Sequence, residues 1–273
     1  MEKRFLFRVA AVLAAAILTV PAFAGHKPKA CTDSVLCLGL VEHYDFEEGS
    51  DSLRLGSAAF GTFEEPGGQD IGNAVGKFGN AVVFTGTSTS YLTVSPSGNF
   101  GSMSYTIGVW LYPTSAGSAG QKQAIISTDA PNSRGETLYV ENVSGNLQAR
   151  WQVTLTDDSQ LTISSTTNIS LSAWHRLVAQ VDFTNYDPGA GASNGARLKL
   201  YVDGAATTPV TIALPIKGGM SEIRLGGRPY AGGEWSYTGR LDSLDVWMRP
   251  VLPSEVSLDY NSGSGRAFPF STP

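Results

Sequence analysis

Asp45 and Glu47, two residues apart, come closest in this sequence to a catalytic pair. Residues i and i+2 of a strand share a face. Two carboxyl groups held close on one face are what a retaining glycosidase uses as acid and nucleophile. Asp242 and Asp245 are three apart, which puts them on opposite faces of a regular strand. Nucleophilic chemistry has less to draw on. The three histidines are His26, His43 and His175, and no nucleophile elbow is read at a strand-to-helix turn. His175 follows Trp174 at a strand start, a place for a packed or rim histidine rather than a general base. The acids therefore read as solvated or loop-capping, and no catalytic residue is expected.

Binding chemistry is better represented. Sugars need flat aromatic rings beside polar groups. Trp235 lies in the run Arg228-Pro229-Tyr230-Ala231-Gly232-Gly233-Glu234-Trp235-Ser236-Tyr237. Arg228, Tyr230, Trp235 and Tyr237 are thus candidate ligand contacts on a loop tip. The same run also reads as a loop folded back onto its own domain. Trp151 alternates with Arg150 and Gln152, so a place on a concave sheet and a place in the core both stay open.

The chain's ends and composition bound what these residues can serve. Lys3, Arg4 and Arg8 precede an apolar run from Val9 to Val20, and Ala22-Phe23-Ala24 is a small-x-small site, which predicts a signal peptide over residues 1–24. The apolar run is shorter than the roughly 20 residues of a membrane span. Export to a bacterial periplasm or medium is expected, with no transmembrane segment after cleavage. About 249 residues remain, enough for one large β-sandwich with a sizeable core. The net charge of −5 falls to about −7 on cleavage. An acidic chain without a Lys/Arg cluster repels phosphate backbones, so nucleic acid is not an expected partner. The two cysteines, Cys31 and Cys37, are an even pair in an oxidising compartment and predict a disulfide closing a short loop in an N-terminal arm, residues 25–37. No histidine pair stands near them at zinc spacing.

Short strands with turn signals run along the rest of the chain. They are read at Leu38 to Phe46, around Phe60 to Phe63, and at Ala81 to Phe84, Tyr91 to Val94, Tyr105 to Tyr112, Ala124 to Ser127 and Leu138 to Val143. The series continues with Leu147 to Leu155, Arg176 to Phe183, Arg197 to Val202, Ile212 to Ile216, Glu222 to Leu225 and Tyr237 to Trp247. Ser144-Gly145-Asn146 and Asp203-Gly204 are hairpin turns. Residues 185–195 are a loop insertion. Pro253 opens the single expected helix, with Glu255 in its first turn and Asn261-Ser262-Gly263 at its end. Many short strands at near-regular spacing mean an all-β sandwich of two antiparallel sheets. Residues 266–273 form a tail without a sorting motif.

Several of these stretches, in this order, resemble the laminin-G-like, concanavalin A-like lectin/glucanase jelly-roll family. Gly39-Leu40-Val41-Glu42-His43-Tyr44-Asp45-Phe46-Glu47-Glu48-Gly49 is similar to its opening strand, and Phe78-Gly79-Asn80-Ala81-Val82-Val83-Phe84-Thr85-Gly86 to its second block. Tyr105 to Tyr112 is similar to its central strand. The runs Trp174 to Asp182, Leu198 to Gly204, Gly239 to Trp247 and Leu252 to Val256 complete the likeness. It covers about Leu38 to Gly265 and implies a jelly roll over 38–265. Trp110, Trp174 and Trp247 lie inside these motifs and are expected in the core. Related glucanases carry their carboxylate pair on the central strand, whereas Asp45 and Glu47 are on the opening one. The resemblance also implies one structural calcium ion near the sandwich edge. Glu47 with Asp242 are its expected ligands, because opening and closing strands should pair, and Asp45 is the reserve. The chain departs from the pattern at Arg54 and Ser243, where the family often has acids. The expected function is a secreted, non-catalytic binding module for carbohydrate or another cell-surface ligand. The alternatives are a structural or adhesive protein–protein module and, behind it, a polysaccharide-degrading enzyme.

Overall fold

The computed structural model describes residue 31 and residues 33–49, 53–56, 61–66, 71–94, 103–128, 135–184, 196–217, 222–228 and 235–270. The signal peptide, the 185–195 insertion and Tyr230 lie outside the described residues.

The expected β-sandwich forms from two antiparallel sheets. The first contains β1 (Leu40–Tyr44), β4 (Gly72–Val75), β5 (Asn80–Thr85), β7 (Tyr105–Pro113), β12 (His175–Asp182), β13 (Ala196–Val202), β14 (Ala205–Ala206), β15 (Val210–Ile212) and β17 (Thr238–Trp247). Its order is β14-β13-β12-β7-β17-β5-β4, with β1 also on β17 and β15 also on β13. The second contains β2 (Leu53–Arg54), β3 (Phe63–Glu64), β6 (Leu92–Val94), β8 (Lys122–Ser127), β9 (Glu136–Val143), β10 (Asn146–Thr154), β11 (Gln160–Ile169) and β16 (Ile223–Leu225). Its order is β11-β10-β9-β8-β16-β6-β3-β2.

Period-two alternation decides what goes between the sheets. Tyr105, Ile107, Val109 and Leu111 of β7 face Ala149, Trp151 and Val153 of β10 and Leu138 and Val140 of β9 in one apolar core. The hairpin turns are as expected: Asp203 and Gly204 take φ of 53° and 79°, Ser144 and Gly145 52° and 93°. Four of the described strands were not legible in the sequence: the two-residue β2 and β14, and β4 and β11. β4 is a short edge strand. β11 reads Gln-Leu-Thr-Ile-Ser-Ser-Thr-Thr-Asn-Ile, and most of it is exposed at the sheet's edge, so few apolar residues mark it.

β17 has one partner for its first half and another for its second. Thr238 to Leu241 pair with β5, while Leu244 to Trp247 pair with β1. Between them the register against β7 slips. Asp242 faces Trp110 but Asp245 faces Gly108, so β17 carries one extra residue. Ser243 sits in this bulge at φ 46°.

The outer face of the first sheet carries a second layer. Helix α1 (Pro253–Tyr260) starts at Pro253 as expected, with Glu255 accepting from the Leu252 N–H at 2.5 Å. Cys31 and Cys37 form the expected disulfide. The arm they close packs on the sheet through Leu36, whose carbonyl accepts from Trp247 Nε1 at 2.7 Å. Residues 265–270 pack against this layer. Arg266 pairs with Asp33 at 2.9 Å, and Phe270 is buried with Leu36, Trp247 and Val256. Burial alone would raise the Asp33 carboxyl. The Leu36 and Val35 N–H groups and Arg266 outweigh it and hold the group below its ordinary range. Trp110 and Trp247 are buried as expected, but under this layer rather than between the sheets, and Trp174 is half-buried.

Glu136 carries its carboxyl between the sheets. Glu136 accepts from Tyr105 Oη at 2.5 Å and from Trp151 Nε1 at 2.8 Å. Burial pushes its pKa to about 7, and these two hydrogen bonds only partly oppose it. The folded state therefore binds this proton more tightly than the unfolded chain does. The contribution to stability is full below the ordinary glutamate range and is lost as pH rises through about 7. Glu136→Gln removes the charge and can keep both contacts, its Oε1 accepting from Trp151 Nε1 and its amide donating to a Tyr105 hydroxyl turned round to accept. The wild type should lose stability of the order of 3 kcal/mol between about pH 4.5 and 8 relative to the variant. Urea unfolding of both across that window checks it; parallel curves would refute it.

Candidate functional site

β1 and β5 lie end to end along β17, and a gap opens where one stops and the other starts. The segment leaving β1 brings Asp45 and Glu47 into this gap, the turn before β5 brings Phe78 and Gly79, and the bulge of β17 brings Asp242 and Ser243. His43, Ala267 and Phe268 close it. The result is a cavity of about 210 Å³. The structure thus brings together all three carboxylates expected at a metal site, Glu47, Asp242 and Asp45.

Asp242 is 1% exposed. Its Oδ2 accepts from the Phe78 N–H at 2.9 Å, while its Oδ1 is buried without a hydrogen-bond partner. Burial pushes its pKa to about 7; backbone N–H groups of Phe78, Ser243 and Lys77 pull the other way, and the negative Glu47 adds to the rise. Glu47 accepts from the Asn80 N–H at 3.0 Å and from Asn80 Nδ2 at 3.2 Å. Glycines make the close approach possible. A Cβ on Gly76 would lie 2.6 Å from Asp242 Oδ2, and on Gly79, at φ 59°, it would occupy the space of the Glu47 carboxyl.

Next to the cavity the outer face holds a closed ionic network. Arg176 donates to Asp245 at 2.6 Å, to Asp259 of α1 at 2.8 Å and to the Ser243 carbonyl at 2.7 Å. Gly108 makes room for it, since a Cβ there would lie 2.6 Å from Arg176 Nη2. His43 Nδ1 is 2.6 Å from Asp245 Oδ1, and its ring stacks on Phe268 at 4.2 Å. Asp242 and Asp245 were expected on opposite faces. The bulge corrects this: Leu241 and Leu244 both point into the core, and both aspartates point outward. His175 is a rim histidine. Its Nε2 accepts from the Ser170 N–H at 3.1 Å, which leaves Nδ1 to donate to Asp203 at 2.7 Å.

The fit of a cation follows from the donor set. Among the described residues no three His, Cys, Asp or Glu side chains already converge at ligand distance. Calcium, however, takes backbone carbonyls and water beside its carboxylates. A buried carboxylate oxygen without a partner, a second carboxylate close enough to act on it, and room for an ion suit a hard cation with oxygen ligands. Glu47 and Asp242 would hold it and Asp45 would complete the set. A cation there would neutralise the carboxylates and tie the ends of β1 and β5 to β17.

The expected ligand residues are placed differently. Trp151 is 1% exposed and Tyr237 is fully buried. Both are core side chains, which corrects the expectation that they face a ligand. Trp235 is 9% exposed and packs on the outer face of the second sheet against Tyr139 and Ala124. Arg228 and Lys122 lie over its ring, 4.3 and 4.6 Å from the centroid. It is therefore no bare stacking platform: the indole itself packs onto the sandwich. The sequence offered no signal for Lys122 or Tyr139.

A family model for the concanavalin A-like lectin/glucanases superfamily matches residues 85–257. The chain belongs to that superfamily. Among solved structures, this superfamily member is similar to the binding domain of Paraclostridial Mosquitocidal Protein 1 (TM-score 0.62, 18% identity, 82% of this chain and 52% of that one). It is similar to the botulinum neurotoxin type G receptor binding domain (0.59, 14%, 82% and 51%). It is also similar to domain 4 of AbnA, a GH43 extracellular arabinanase from Geobacillus stearothermophilus, in complex with arabinotriose (0.57, 19%, 83% and 98%). The chain spans about half the length of the two toxin domains. At these identities the likeness shows the fold. No curated protein matches the sequence.

Gly79→Ala should cost about 1–3 kcal/mol in denaturant unfolding, since it combines a positive φ with a blocked Cβ. In a Glu47→Ala background part of that cost should disappear. Strict additivity in the double-mutant cycle would refute the contact between the two residues.

Proposed function

We propose that this chain is an exported, non-catalytic binding module for a glycan or another cell-surface ligand, with a calcium ion held by Glu47, Asp242 and Asp45. The observation that carries the binding role is the asymmetry of the sandwich. The first sheet's outer face lies under α1, the disulfide arm and residues 264–270. On the second sheet, Glu141, Gln148, Arg150 and Gln152 are only half-buried, and Thr162 and Ser164 are exposed. A face lined by amides, hydroxyls and charges suits the hydroxyl-rich surface of a saccharide. Two similar solved structures are toxin binding domains, and a third was solved with arabinotriose, which supports a binding role. The disulfide supports export. Among the described residues no helix is long and apolar enough to cross a membrane.

A second reading, an adhesive protein–protein module, draws on one observation. Val35, Leu38 and Leu252 are 41%, 63% and 61% exposed around Arg249, which holds the arm to α1.

Two measurements test these readings. Calcium at about a hundredfold excess over its Kd should stabilise the mature protein by about 2.7 kcal/mol relative to EDTA. Asp242→Asn should lose that gain; a melting temperature indifferent to calcium would refute the ion site. On a glycan and polysaccharide array the protein should bind at least one saccharide. Silence with calcium and with EDTA would refute the sugar reading and favour the adhesive one.

A further inference from the structure

We infer that the carboxylate cavity takes a sugar residue carrying a free amine, with its ammonium on Asp242 and Glu47. This rests on the binding-module reading and adds an anchor for the ligand; calcium and the ammonium then compete for the same oxygens. The cavity has a floor and a rim. Asp242, Ser243 and His43 are buried at its floor, while Glu47, Gly79 and Ala267 are exposed around it. Its volume of about 210 Å³ is several times the roughly 30 Å³ that a water takes in the liquid. That is more room than a single ion fills.

The donor and acceptor inventory selects the ligand. The described lining holds three carboxylates and neither lysine nor arginine. Lys77 lies outside it, over the Trp110 ring, and donates to the Gly263 carbonyl at 2.5 Å. Asp242 is 1% exposed, and its Oδ1 is buried without a hydrogen-bond partner. The floor thus presents an acceptor that lacks its donor. An ammonium brings three donors and a positive charge. Its bonds to carboxylates run to about 2.7–2.9 Å, whereas calcium draws its oxygens in to about 2.3–2.6 Å. Among the described residues no three His, Cys, Asp or Glu side chains converge at metal-ligand distance. The larger cation therefore meets the carboxylates where they stand.

The walls offer what a metal ion would not use. Phe78 and Phe268 line the cavity and are half-buried. Phe268 is fixed by its stack on His43, and Phe78 by its edge contact with Trp110. A phenyl ring attracts an ammonium and gives a pyranose an apolar surface. A lysine side chain would bring the ammonium alone. An amino sugar adds hydroxyl donors for the carboxylate lone pairs that the ammonium leaves, which favours the sugar as the source of the amine.

Calorimetry on the full mature protein tests this. The probes are glucosamine oligosaccharides with free amines, the same oligosaccharides N-acetylated, and a lysine-rich peptide, each in EDTA and in calcium. In EDTA the free-amine form should bind at least about tenfold more tightly than the acetylated one. Calcium should weaken that binding, and Asp242→Asn or Glu47→Gln should each reduce it about tenfold. Glu47 is exposed, so its variant carries the test if Asp242→Asn does not fold. Equal binding of the free and acetylated forms, or free-amine binding untouched by the variants, would overturn the inference and leave the binding-module reading standing. Binding of the peptide alone would overturn it in favour of the adhesive reading. Silence from every probe overturns the inference, and the sugar reading falls with it only if the glycan array is silent too.

Discussion

One extra residue in β17 decides where most of the charged side chains of this protein can go. A regular strand would send Asp245 into the core if Asp242 faced out. The bulge at Ser243 resets the alternation, so Leu241 and Leu244 both enter the core and both aspartates face outward. It also frees the Ser243 carbonyl for Arg176. Asp245 can then neutralise Arg176, and Arg176 can hold Asp259 of α1. A buried guanidinium without such partners would cost several kcal/mol. The same bulge stands where β17 passes from β5 to β1, so it also creates the gap that the carboxylate cavity fills. Packing, ionic pairing and the candidate ion site all descend from that single slip in register.

The two faces of the sandwich are consequently unlike. On the first sheet the ionic network anchors α1, and Trp247, Leu36, Val256 and Phe270 add an apolar layer above it. The arm and the last described residues are joined to each other through Asp33 and Arg266, and to the sheet through Trp247 and Leu36. That face is spent on stability. The second sheet keeps a half-open face of amides, hydroxyls and ion pairs. An antiparallel sheet can leave one face in water without penalty, and that face is where a ligand can approach a rigid surface.

Much of the fold was legible because alternation and turn chemistry are local. The strands from Tyr105 to Val143, the Asp203-Gly204 turn and the Pro253 helix start each carry their own signal. β11 escaped because an edge strand exposed along most of its length needs no apolar residues. The convergence of Glu47, Asp45 and Asp242 was legible through pairing of the opening and closing strands, seen in the register of β1 on β17. The bulge was missed because Asp242 and Asp245 were placed by regular alternation, although two leucines three apart, Leu241 and Leu244, cannot both enter the core without an extra residue. Trp151 and Tyr237 show the limit for aromatic residues. Their type suits a sugar platform and a core equally, and only the phase of each strand against its neighbours decides. For Trp151 that phase points the indole at Glu136, between the sheets.

Net charge was a poor guide to the local field, for a reason of scale. At physiological ionic strength charges are screened over about 8 Å. The overall balance of −5 therefore describes long-range repulsion of a polyanion and not the potential a bound ring would meet. The carboxylates and the cations are segregated by the fold: Glu47, Asp45 and Asp242 in the seam of one sheet, Lys122, Arg150 and Arg228 on the outside of the other. Each cluster sets its own chemistry within a few ångströms. The carboxylates of the seam and the cations of the opposite face can therefore stand in one small acidic domain, because the outer faces of a sandwich lie farther apart than the screening length.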